Sequence, residues 1–139
     1  MNPLVLNPGL VEKILINFLK DSIGKFGFQK AVLGLSGGID SAIVAALLAK
    51  ALGPENVIAI KMPYQSSSAD SVSDADALIA QLKIRSKQIE ITDQVESYFK
   101  KNPNMTPLRR GNLMARTRMM ILYDQSMAES ALVVGTSNK

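Results

Sequence analysis

The stretch "AVLGLSGGIDSAIVAALLAK", residues 31–50, joins a short apolar run to an alanine-rich segment through two glycines, an aspartate and two serines. Apolar residues in one run before the loop read as a buried strand, and those at helical spacing after it, Ser41 to Leu52, read as a helix. Gly37 and Gly38 have no Cβ, so the chain there can take positive φ and bring its amides close to a ligand. The first N–H groups of the helix and its dipole favour a phosphate at that end, and the hydroxyls of Ser36 and Ser41 add donors. Asp40 is the odd member: a carboxylate beside an anion repels it unless a cation intervenes, and Mg²⁺ bridging carboxylate and phosphate oxygens removes the conflict. The commonest phosphate loop needs GxxxxGK[ST], and no lysine occupies that place. The expectation is a metal-bound polyphosphate held by a different loop. The same residues also admit a plain reading, a turn followed by a helix capped by Asp40 or Ser41.

Outward from this stretch, helix and strand patterns alternate. Residues 8–25 place Leu10, Ile14, Leu15, Phe18 and Leu19 on one face of an amphipathic helix. "KAVLGL" (30–35) is the first strand, and Gly53 with Pro54 stops the helix that follows the loop. "NVIAIKMP" (56–63) is a second strand. The serine-rich loop 66–73 offers hydroxyls, Ser66 to Ser68 among them, to cap a helix over 74–82. "SKQIEIT" (86–92) is a more polar third strand, "DQVESYFKK" a short helix, 108–130 one long helix, and "ALVVG" (131–135) a fourth strand. In the long helix, Arg116 shares a face with Asn112, Met119 and Tyr123, away from Leu113, Met120 and Ile121. Arg118 reads as a solvated helix charge, and Met114, Met119, Met120 and Met127 as packing residues. Strands separated by helices require crossover connections, which produce a parallel sheet with helices on both faces. The class is α/β in a single domain over 1–139, with ligands expected beyond the carboxyl ends of the strands, where "SGGIDS" and "GTSNK" both lie.

Composition narrows the chemistry. With no cysteine and no histidine, thiolate nucleophiles, disulfides, Ser-His-Asp chemistry and His- or Cys-bound zinc are excluded within these residues. Backbone amides, carboxylates, hydroxyls, lysine and arginine remain. A net charge of +4 favours an anionic partner. Aromatics are only 5%, so a stacking surface for nucleic acid is poorly supported and a small phosphorylated ligand fits better. The longest apolar stretch is too short to span a bilayer and the first thirty residues lack a secretory start, so no membrane partner and a cytoplasmic location are expected.

The run Ser36, Gly37, Gly38, Ile39, Asp40, Ser41 matches the SGGxDS loop of the N-type ATP pyrophosphatases, which include NAD synthetase, GMP synthetase, asparagine synthetase and several tRNA-modifying enzymes. Residues 110–139, "RGNLMARTRMMILYDQSMAESALVVGTSNK", resemble the NAD synthetase family. That resemblance implies a Rossmann-like sheet of the adenine nucleotide alpha hydrolase type. It also implies ATP as co-substrate held by Gly34, Leu35, Ser36, Gly37, Gly38, Ile39, Asp40, Ser41 and Thr136, Mg²⁺ on Asp40, and deamido-NAD on Arg116. The family's members are homodimers with the dinucleotide at the subunit interface. Without a glutaminase domain ahead of the loop, the resemblance is to the ammonia-dependent form.

The reaction so implied is adenylation followed by amidation. The pyridine carboxylate of deamido-NAD attacks the α-phosphorus of ATP and pyrophosphate leaves; ammonia then displaces AMP from the acyl-adenylate. The family's second Mg²⁺ ligand and further contacts lie beyond the residues matching "GTSNK", so the C-terminal part is expected to be missing and residues 1–139 alone are expected to be inactive. Two alternatives stand beside this reading: another SGGxDS enzyme, GMP synthetase-like or tRNA-modifying, and a non-catalytic nucleotide-binding module.

Overall fold

The structure, a computed structural model, describes residues 7–65 and 69–136. Four parallel strands, β1 (Ala31–Gly34), β2 (Val57–Lys61), β3 (Arg85–Gln88) and β4 (Leu132–Val133), lie in the order β3-β2-β1-β4. Five α-helices surround them: α1 (Pro8–Lys25), α2 (Ile39–Leu52), α3 (Ala69–Leu82), α4 (Thr92–Lys101) and α5 (Pro107–Glu129). The α/β class and the covering of both sheet faces hold as expected.

Period-two alternation divides the strands between two cores. Ala31 and Leu33 of β1 with Val57 and Ala59 of β2 face one core, built with α1, α2 and α3. Val32, Ile58 and Ile60 face the other, built with Val95 and Phe99 of α4 and Leu122 of α5. Because both faces are buried, β1 and the first four residues of β2 are apolar rather than alternating. Pairing of Ala31 with both Val57 and Leu132 makes β1 the strand from which the chain winds one way to β2 and β3 and the other way to β4.

Boundaries differ from expectation where tertiary contacts decide them. The third strand stops at Gln88, although Ile89 and Ile91 still donate to the carbonyls of Lys61 and Pro63. Pro63 has no N–H, so the ladder cannot be completed there. Likewise β4 spans two residues, with Val134 donating to Val32 beyond it. Helix α3 begins at Ala69 rather than 74, which puts Ser71 and Ser73 inside the helix instead of in a loop. The capping expected of Ser66 to Ser68 lies outside the described residues.

Two helix faces also turn out otherwise. On α1, Ile23 is buried and Leu19 packs on the core, whereas Leu10, Ile14, Leu15 and Phe18 are exposed. Helix α1 packs along α2, and Glu12 and Lys50 pair across the two helices. On α5, Leu113, Met114, Ile121 and Leu122 face the core, while Met120 and Met127 are exposed instead of packed. Tyr64 and Phe99 meet edge to face at 6.3 Å with the Arg110 guanidinium 4.8 Å from the Phe99 ring centroid, pinning the segment after β2 to α4 and α5. The Tyr64 hydroxyl donates to Glu96, and that bond, followed by burial and the carboxylate's charge, raises its pKa.

Candidate nucleotide site

The loop between β1 and α2 is shaped by one glycine more than by two. Gly37 has φ +85°, and a Cβ there would overlap the backbone of Ser71 in the first turn of α3. Gly38 has φ −81° and serves as N-cap of α2, so only Gly37 uses the positive φ that both glycines permit. Its neighbours are tied together by hydroxyls. Ser36 Oγ accepts from the Gly38 amide at 3.2 Å, and Ser41 Oγ donates to the Gly38 carbonyl at 3.2 Å while accepting from the Ser36 amide at 3.3 Å. The two hydroxyls lie 3.2 Å apart.

Capping by Asp40 or Ser41, the plain alternative, is not what these residues do. Both lie inside the first turn of α2, and no side chain caps that helix. The first helical bond is from Ala42 to Gly38, so among the described residues nothing accepts from the N–H groups of Ile39, Asp40 and Ser41. Three free amides at the positive end of a 14-residue helix are an arrangement able to receive an anion. Leu35 does not add a fourth, because its amide is spent on the Ile60 carbonyl at 2.9 Å. Asp40 is exposed on that first turn, with no hydrogen bond or ion pair among the described residues.

Beside the loop lies a cavity of about 340 Å³ at the carboxyl ends of β2, β1 and β4. Gly34, Leu35 and Ser36 form one wall, Gly135 and Thr136 another, Lys61 to Pro63 a third, with α3 and α5 closing the rest. Gly34 matters here for its missing side chain, since a Cβ would stand 3.2 Å from Met62 Cε and 3.5 Å from Leu122 Cδ1. Four of the expected site residues, Gly34, Leu35, Ser36 and Thr136, line this cavity; Gly37 to Ser41 continue the chain from Ser36 and are not in its lining. Arg116 is exposed on α5 and does not line it.

Two cations are in the wall: Lys61, which the sequence reading did not single out, and Arg118, which it took for a solvated helix charge. Lys61 ends β2, with a side chain 13% exposed and paired to Asp76 of α3. Its place directly after an apolar strand was the available signal, given where α/β sheets bind ligands. Arg118 is partly buried, and its Nε–H donates to the Met62 carbonyl at 2.9 Å. Burial lowers the pKa of its guanidinium from the ordinary value. Here the signal was spacing: Met114, Arg118 and Leu122 repeat every four residues, so the arginine interrupts the inward stripe. Met119 lines the cavity rather than packing in the core.

A parallel sheet whose winding reverses between β1 and β4, with a glycine loop and free helix amides at that reversal, defines an α/β nucleotide-binding protein. More narrowly, the chain belongs to the NAD synthase family, whose model matches residues 11–139. It is 59% identical over its full length to an NH(3)-dependent NAD(+) synthetase of Fusobacterium nucleatum, of which it covers 54%. It is 54% identical over 134 residues to one from Chlorobium phaeovibrioides, covering 48% of that protein. Among solved structures, NH3-dependent NAD synthetase from Campylobacter jejuni in complex with the nitrate ion superposes with TM-score 0.90 at 41% identity, over 97% of this chain and 58% of that one. NMN synthetase from Francisella tularensis superposes with TM-score 0.88 at 33% identity, over 96% of this chain and 56% of that one. The chain thus spans about half the length of the curated relatives it matches.

Proposed function

We propose that this chain carries the ATP-activating part of an ammonia-dependent NAD synthetase, which adenylates the pyridine carboxylate of deamido-NAD and releases NAD, AMP and pyrophosphate. The observation that carries the reading is the free amide triad of Ile39, Asp40 and Ser41 beside the cavity at the β1/β4 reversal. A carboxylate is a poor acyl donor because oxide would have to leave; adenylation makes AMP the leaving group. The protein's part is positioning and charge stabilisation, which amides and cations supply without a histidine or cysteine nucleophile.

In this reading the outer phosphates of ATP sit on the α2 amides, that of Ser41 included, and the Ser36 hydroxyl, with Gly37 and Gly38 allowing close approach and the Ser41 hydroxyl holding the loop through its bonds to Gly38 and Ser36. Thr136, across the cavity in the segment after β4, contacts the nucleotide. Asp40 suits Mg²⁺, being a hard oxygen donor on that turn without a cation partner among the described residues. The metal would neutralise charge on the phosphates and the departing pyrophosphate. No group of three or more acidic side chains able to hold a metal occurs among the described residues, so phosphate oxygens and water would complete the shell. Arg116 is exposed on α5 outside the cavity, and in this reading it takes deamido-NAD rather than ATP. Around it, Met119, Tyr123 and Met127 expose apolar surface, which favours a homodimer with the dinucleotide near the subunit boundary. A cytoplasmic location accords with the absence of cysteine and, among the described residues, of any helix long and apolar enough to cross a membrane.

The likeness to NMN synthetase favours one second reading, the same amidation on a mononucleotide carboxylate. Titration with ATP tests the shared part: one site per chain, strengthened by Mg²⁺. Absence of binding refutes both readings. Turnover separates them in a chimera completed with the C-terminal half of the Fusobacterium relative. AMP released in step with NAD from deamido-NAD supports the first, and preference for the mononucleotide acid supports the second.

A further inference from the structure

Arg118 is a partly buried cation in the cavity wall with no anion to balance it among the described residues. Beyond its Nε–H bond to Met62, none of its N–H groups has a hydrogen-bond or ion-pair partner among the described residues. Other cations on the sheet are not left this way. Lys61 on the adjoining wall is paired with Asp76, and Arg85 and Lys87 on β3 share Glu129 at 3.0 and 2.7 Å. A guanidinium is a rigid planar fork of five donors, so fixing Nε on a carbonyl sets its plane and leaves the two terminal nitrogens for something else. A charge held where burial penalises it is stabilised by an anion far more than by a neutral ring nitrogen.

The surrounding wall indicates which anion. Ser36, where the phosphate loop begins, and Thr136 both line the cavity with Arg118, whereas the amides of Ile39 to Ser41 lie outside it. A nucleotide whose outer phosphates rest on those amides has its ribose-linked phosphate between them and the cavity. Resting on the nucleotide reading above, we propose that Arg118 grips the ribose-linked phosphate of bound ATP, with the Met62 carbonyl holding the guanidinium in plane. The same contact would persist on the AMP product.

The test is calorimetric titration of the wild-type chain, Arg118→Gln and Arg118→Lys with adenosine, AMP and ATP, alongside thermal unfolding of each. Arg118→Gln is expected to bind AMP and ATP about 10- to 100-fold more weakly, the range of a charge-assisted hydrogen bond, and adenosine as the wild type does. Arg118→Lys keeps the charge without the fork and recovers part of the AMP affinity at a near-wild-type unfolding temperature. Equal weakening for adenosine would overturn the proposal, because the residue would then serve the base or only hold the wall. Weakening for ATP alone would place the contact on an outer phosphate and overturn it as well, as would undiminished AMP binding. A wild-type chain that binds none of the three would sink the nucleotide reading itself, a result separate from any difference among variants.

Discussion

Gly37→Ala isolates the contact on which the loop's shape depends. At φ +85° an alanine is strained by about 1–2 kcal/mol. Its Cβ would also overlap the Ser71 carbonyl oxygen and stand 3.0 Å from the carbonyl carbon and Cα. Ordinary contact begins at 3.4 Å, so the carbon must retreat by about 0.4 Å (3.4 minus 3.0), and the oxygen by more. These are backbone atoms of a helix, which cannot rotate away as a side chain can, and such overpacking costs about 1–3 kcal/mol. Together the terms come to about 2–5 kcal/mol, or on the order of 10 °C in unfolding temperature for a domain of this size. The control is Gly38→Ala, where φ is −81° and the nearest atom is the rotatable Ser36 Oγ at 3.3 Å; its cost should stay below about 1 kcal/mol. Chemical denaturation of both variants, with ATP titration of each, decides the matter. If Gly37→Ala proves as stable as Gly38→Ala and binds ATP equally well, the close approach of loop and α3 is wrong.

Asp40→Asn should leave unfolding unchanged, since the side chain has no partner among the described residues, and should abolish the strengthening of ATP binding by Mg²⁺; a Mg²⁺ titration reads this directly. Arg116→Ala should weaken deamido-NAD by about 1.5–3 kcal/mol while ATP binding holds, measured by competition in the completed chimera. Glu129, whose pKa is lowered first by its hydrogen bond from Lys87 and then by Arg85, stabilises the fold above its unfolded pKa, and that contribution disappears as pH falls through the lower folded value. Glu129→Gln should therefore lower stability near neutrality and flatten its decline below about pH 4.5, seen in unfolding midpoints across an acid series.

The order of elements and a glycine loop leading into a helix with free N-terminal amides were legible in local sequence. Apolar runs of strand length, helical periodicity and the Gly53–Pro54 stop are consequences of backbone geometry that neighbouring residues impose on one another. The α/β class followed because parallel strands need crossovers. Ser36 to Ser41 could be read as an anion loop for the same reason, since glycines and a following helix present amides whatever surrounds them.

What periodicity could not say is which residues meet across the chain. It marked Leu10, Ile14, Leu15 and Phe18 as the packed face of α1, and the structure leaves them exposed because the helix docks through Leu19 and Ile23. It left Arg118 as a surface charge, although rotation of α5 about its axis is set by where Leu122 meets the sheet, and that rotation turns Arg118 toward Met62. The bar to any side chain at Gly37 likewise comes from Ser71, thirty-four residues away (71 minus 37), on a helix whose start the sequence put too late. Local patterns fix which conformations are cheap; the strand order β3-β2-β1-β4 and the packing of helices on it decide which side chains share a cavity, because those contacts join residues far apart in sequence.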